Sequence, residues 1–109
     1  MDLLEEMNRL KNLLNKALAE LKDRGTIYAK AYASYRKLLA QELLKLKAEG
    51  MPATIAYDIA RGKEEIANAK EQEIIAETLY KSCQEAINSY KLQMKILQEQ
   101  IEKEYHNEL

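Results

Sequence analysis

The chain has 109 residues and a formal net charge of −1, with 32% charged and 47% hydrophobic residues but only three Gly and one Pro. That length fits one domain, the scarcity of breakers favours long solvated helices over sheets or disorder, and the near-neutral charge removes the bulk phosphate neutralisation on which simple nucleic-acid binding rests. Cys83 is the only cysteine and His106 the only histidine, so an intramolecular disulfide is excluded and no zinc, haem or iron–sulfur ligand set is recognisable.

Asp2, followed three residues later by Glu5, reads as an N-cap with its reciprocal partner, so a helix can start almost at once. Leu3, Met7, Leu10, Leu14, Leu18, Leu21, Tyr28, Tyr32, Tyr35, Leu39, Leu43 and Leu46 then recur mostly at steps of three and four, the spacing of one helical face. The missing beat falls at Gly25, which costs about 1 kcal/mol in a helix interior, too little to break so long a stripe. Lys45 and Lys47 suit the negative end of the helix dipole, and Gly50 followed by Pro52 is a stop, giving a first helix over about residues 2–49.

Pro52 can open a short connecting helix over about 52–61, closed by Gly62. Glu64 and Glu65 favour a new start, and Ile66, Ala69, Glu73, Ala76, Tyr80, Cys83, Ile87, Tyr90, Met94, Leu97 and Ile101 form a stripe with one polar intruder, placing a last helix over about 63–105. The fold class is therefore all-α, a single helical domain over 1–109 built as a long antiparallel hairpin with a short connecting helix. The two stripes agree if facing residue numbers add to about 112, which sets Leu46 against Ile66, Tyr32 against Tyr80, Tyr28 against Cys83, Leu14 against Leu97, and Gly25 opposite Ile87. Leu43→Asp or Leu97→Asp should then destroy the fold or the assembly, and Lys95→Asp should be tolerated.

Leu4, Leu13, Ile27, Leu38 and Leu44 on the first helix, and Ile75, Leu79 and Ile96 on the last, widen each apolar face beyond a two-stranded seam. The economical solution is self-association into a helical-bundle homodimer or higher homo-oligomer. Residues 1–50 carry ten Lys/Arg against seven Asp/Glu, and residues 51–109 carry seven against eleven, so a mildly basic helix is set to pair with a mildly acidic one. No stretch approaches the roughly 20 apolar residues of a membrane span, and the charged opening does not read as a secretory signal. A reducing, cytoplasmic setting is the expectation.

No Gly-rich phosphate loop, nucleophile elbow or His beside a Ser or Cys is present in the sequence, so the expectation is a non-enzyme with no cofactor and no metal. Cys83, Met7 and Met94 read as core filler. All seven aromatic residues are Tyr, and each buried ring brings a hydroxyl that wants a partner. Arg24, Tyr28, Tyr32 and Arg36 lie at i+4 spacing along one strip, with Tyr80 expected across the seam. Two readings stay open there: a ligand site in which Tyr rings stack on a base and Arg side chains grip phosphate, or Tyr packed in a bundle with Arg covering the rings. Arg61 and Lys63, beside a helix start, are a possible anion contact, although Glu64 and Glu65 follow at once and favour a plain turn and cap.

The segment Lys45-Leu46-Lys47-Ala48-Glu49-Gly50-Met51-Pro52-Ala53-Thr54, continuing to Asp58-Ile59-Ala60-Arg61-Gly62, resembles the central connector of small uncharacterised all-helical early proteins of temperate bacteriophages of Gram-positive bacteria. The resemblance extends loosely over residues 28–101, through Tyr35-Arg36, Ala76, Tyr80-Lys81 and Ala86-Ile87. It implies a setting among early genes for recombination, replication or counter-defence, in the host cytoplasm, and brings no functional residues with it. The resulting expectation is a homo-oligomeric accessory protein that sequesters or occludes a host component, such as a host defence protein or a nucleotide immune signal. Two alternatives stand beside it: an adaptor in phage DNA recombination or replication, with a basic track over Lys22, Arg24, Lys30, Arg36, Lys37, Lys45 and Lys47, and a structural helical bundle.

Overall fold

The computed structural model describes residues 2–108, and among these it contains three helices and no strand: α1 Leu3–Ala48, α2 Ala53–Gly62 and α3 Glu64–Glu108. Each boundary has a local cause. The Leu4 N–H donates to Asp2 Oδ1 at 2.9 Å and the Glu6 N–H to the Asp2 carbonyl at 3.1 Å, satisfying donors that the first turn would otherwise leave orphaned. Glu6, rather than Glu5, carries the ion pair of this turn, accepting from Arg9 Nε at 3.0 Å.

α1 runs unbroken through Gly25 and ends at Gly50, whose φ of +88° lies in the left-handed region that a side chain opposes. The Met51 N–H donates to the Leu46 carbonyl at 3.2 Å and the Gly50 N–H to the Lys47 carbonyl at 3.0 Å, the paired bonds of a Schellman motif. Met51 packs on the cluster that contains Leu46, the apolar contact that usually accompanies this motif. Pro52 caps α2, its carbonyl accepting from the Ala56 N–H at 2.9 Å. The break between α2 and α3 lies at Lys63, whose extended backbone (φ −67°, ψ 138°) interrupts the helical path; Gly62 needs no left-handed conformation.

The chain divides into two compact units, one formed by residues 1–23 and 81–109 and the other by Arg24–Tyr80. In the first, α1 contributes the buried Leu10 and Ala17 and α3 the buried Ile87 and Leu97, while Lys95 is exposed. The Cys83 thiol donates to the Ala17 carbonyl at 3.3 Å, so this half-buried cysteine sits against backbone as a small core residue.

In the Arg24–Tyr80 unit the core is Tyr35, Leu39, Leu46, Ala56, Ala60 and Ile66, with Leu38, Leu43, Met51 and Ala69 packed around it. Ala60 is completely buried, and its methyl group is what lets α2 lie close to its neighbours. α1 and α3 run antiparallel here, as four contacts show: Gly25 meets Tyr80, Tyr28 meets Glu77, Tyr35 meets Lys70 and Glu42 pairs with Lys63. This corrects the register read from sequence. Gly25 faces Tyr80 and not Ile87, seven positions later on α3, a slip of one heptad. A stripe that repeats every seven residues fits its partner almost equally well after such a slip, and the offset is set by the connector, where the chain reverses at Gly50–Met51 and α2 packs into the core.

This chain of 12.6 kDa exposes 8239 Å². Among the contributors are Ile27, Leu44, Ile75 and Leu79 in the Arg24–Tyr80 unit and Leu4, Leu92 and Ile96 in the other, each at least 40% exposed.

Candidate functional site

Among the grooves of the Arg24–Tyr80 unit, one of about 320 Å³ is lined by Leu43, Lys47, Met51, Ala53, Ala56 and Tyr57, and two others gather the aromatic and charged side chains. The first of these two, of about 350 Å³, is lined by Gly25, Tyr28, Ala29, Tyr32 and Tyr80. Gly25 and Ala29, one turn apart on α1, put almost no side chain between the rings, and that is what makes the space. The Tyr28 hydroxyl donates to Glu77 Oε2 at 3.2 Å, and the Tyr28 and Tyr80 rings are tilted by 36° with centroids 6.0 Å apart. Tyr28 is therefore anchored at its polar end, while Tyr32 is 47% exposed and presents a free face. Such a groove suits a flat or apolar group held against aromatic faces.

Three of the five residues expected at a ligand site, Tyr28, Tyr32 and Tyr80, thus come together. Arg24 and Arg36 are not in the lining: Arg24 is half-buried and Arg36 is exposed. The lining is aromatic and small, with no cationic side chain among its residues. Tyr35, adjacent to the strip in sequence, is a core residue, 7% exposed.

The second groove, of about 500 Å³, lies where α2 meets the start of α3, and its polar lining is Asp58, Arg61, Lys70 and Glu71 above Tyr35 and Ile74. The Arg61 guanidinium lies 5.4 Å from the Tyr57 ring centroid. The Lys70 ammonium lies 4.8 Å from the Tyr35 centroid and 2.9 Å from Glu73 Oε2. That hydrogen bond to Glu73, more than any other influence, raises the Lys70 pKa above its ordinary value. Glu73, the polar intruder of the α3 stripe, is accordingly buried but paired. Two cations and two carboxylates give a groove of balanced charge, without the surplus that anion capture needs. Of the pair expected to contact an anion, Arg61 lines this groove, while Lys63 is engaged by Glu42 and is not in the lining.

Among the described residues, no group of three or more His, Cys, Asp or Glu is placed to hold a metal ion, and no helix is long and apolar enough to cross a membrane. Sequence reasoning missed Gly25 and Ala29 as groove-makers, though a Gly with a small residue four positions on, interleaved with Tyr, was the available signal. It also missed Asp58, three positions before Arg61 on α2, and Lys70, which the packing of α2 beside α3 brings to Arg61. The chain matches no protein-family model, no curated protein and no solved structure.

Proposed function

We propose that this chain is a non-enzymatic binding protein that works as a homo-oligomeric helical bundle, sequestering or occluding another molecule. The observation that carries this reading is the set of exposed apolar residues on long helices, Ile27, Ile75 and Leu79 in one unit and Leu92 and Ile96 in the other. A second copy covers such faces most economically, because each chain offers the same surface. The Tyr28–Tyr32–Tyr80 groove is the binding element in this reading, and a base or other flat group is the chemistry it accepts. With the resemblance to temperate-phage early proteins, the concrete form is counter-defence in the host cytoplasm, against a host defence protein or a nucleotide immune signal.

One observation favours a second reading, an adaptor in DNA recombination or replication. The α1 segment Arg24–Ala48 carries six Lys/Arg (Arg24, Lys30, Arg36, Lys37, Lys45 and Lys47) against one acidic residue, Glu42. A track of this kind binds single-stranded DNA in a steeply salt-dependent way.

Native mass spectrometry of protein recovered from a bacterial lysate separates the readings, supplemented by titration with nucleotides and with single-stranded DNA. The sequestration reading expects an assembly of two or more chains that retains a nucleotide-sized mass or a stoichiometric protein. An assembly that binds only single-stranded DNA supports the adaptor, and one that binds nothing overturns both in favour of a structural bundle.

A further inference from the structure

We infer that the Tyr groove is one half of a nucleotide site: the groove takes the base, and Arg36, which lies outside the lining, takes the phosphate. This rests on the reading of that groove as the binding element. Gly25, Ala29, Tyr32 and Arg36 follow one another on α1 at steps of four, three and four, so they share one helical face. Side chains on a helix lean towards its N-terminus, and each covers the turn before its own Cα. Tyr32 therefore leans over Ala29, and the exposed Arg36 can reach back over the turn that carries Tyr32, at that end of the groove.

Aromatic faces, size and charge together select this occupant. Tyr28, Tyr32 and Tyr80 offer rings on which any base can stack, and Gly25 and Ala29 leave the room for it. The Tyr28 hydroxyl donates to Glu77 Oε2 at 3.2 Å, which fixes that ring by its polar end. A volume of about 350 Å³ is near the bottom of the range for small-molecule pockets, enough for one base with its sugar, so the phosphate of a bound nucleotide must lie beyond the lining. The stretch of α1 from Arg24 to Gln41 carries Arg24, Lys30, Arg36 and Lys37 and no Asp or Glu, a local surplus that draws the anionic end of a ligand towards this helix. Of these four cations, Arg36 is the one that helical spacing sets on the face of Gly25, Ala29 and Tyr32. Its guanidinium suits a phosphate, to which it can donate two parallel hydrogen bonds. The same chemistry is offered by a free nucleotide and by one nucleotide of a single strand.

The test titrates the full-length protein with adenosine 5′-monophosphate, adenosine and a short single-stranded oligodeoxyadenylate, read by calorimetry and by nuclear magnetic resonance of the Tyr rings. The monophosphate should move the Tyr28, Tyr32 and Tyr80 signals saturably. Arg36→Gln should weaken it about tenfold and leave adenosine unchanged, whereas Arg61→Gln, in the other groove, should change neither. Ala29→Leu places a good helix former at an exposed position, so it should fill the groove and abolish both while circular dichroism shows helicity kept. If both ligands move the three rings but Arg36→Gln leaves their affinity ratio as in wild type, the assignment of Arg36 is overturned and the groove reading stands. If none of the three probes moves those rings, both are overturned. An oligonucleotide that binds far more tightly than the monophosphate, and weakens with Arg36→Gln, supports the site with a strand as its source; equal affinity per nucleotide supports it with a free nucleotide.

Discussion

Gly25 lies directly against the ring of Tyr80: a methyl group added at Gly25 would come within 3.2 Å of Tyr80 Cε2. The contact marks the register of α1 on α3, and Gly25, with Ala29, opens the Tyr groove beside it. Gly25→Ala gains about 1 kcal/mol of helix propensity but makes the ring give way by a few tenths of an ångström. The ring is half-buried and borders open space, so the two effects should nearly cancel, leaving stability within about 1 kcal/mol of wild type. Nuclear magnetic resonance should show the Tyr80 ring signals moving while those of Ile87 stay in place; the opposite pattern would restore the register seven positions later.

Gly50, at φ +88°, closes α1 with its Schellman bonds. Space is not the constraint, since nothing lies within 4 Å of an added Cβ. The backbone conformation is, and Gly50→Ala should destabilise the fold by about 1–2 kcal/mol in urea denaturation. Gly62→Ala, with no positive φ and open space around it, should be neutral or slightly stabilising.

Lys70 neutralises Glu73, the one acidic residue buried in the α3 stripe. Lys70→Ala should lower stability, read as an earlier urea midpoint, because it leaves the buried Glu73 side chain without its hydrogen-bond partner. Glu73→Leu should be tolerated or stabilising, since the stripe gains an apolar residue and Lys70 can return to water. The raised Lys70 pKa makes its stabilising effect fully present below the unfolded-state value and lost only as pH rises through the higher folded-state value. Stability across the neutral range should not depend on it.

At the other end of α1, the hydrogen bonds from Arg9 hold the Glu6 carboxyl below its ordinary value of 4.5. The stabilisation is complete above that value and disappears as pH falls through the lower folded-state one. Carboxyl titration followed by nuclear magnetic resonance should place the Glu6 midpoint below 4.5, and Arg9→Ala should return it towards 4.5.

Helix number and the ends of α1 were legible in the sequence, because caps, breakers and three-four spacing act locally, whereas Gly62 proved to be the last residue of α2 and Leu38, expected beside the seam, packs on the core. Asp2, Gly50 and Pro52 each mark the boundary they were expected to mark. Register was not legible. The seven-residue repeat of Ile66, Glu73, Tyr80 and Ile87 offers α1 equivalent seats one heptad apart, and the choice is made by how α2 packs Ala56 and Ala60 into the core. The Tyr cluster could be read from i+4 spacing. The absence of Arg24 and Arg36 from its lining could not, because helical spacing alone does not say which flank of the strip a partner helix covers.

The central claim is that one chain leaves its apolar faces for a copy of itself. Light scattering of the purified protein during size-exclusion chromatography, repeated over a dilution series at physiological salt, tests it most directly. A mass of twice 12.6 kDa or a higher whole multiple, falling only at high dilution, is the predicted result. A mass of 12.6 kDa at every concentration, with helicity intact, would contradict it.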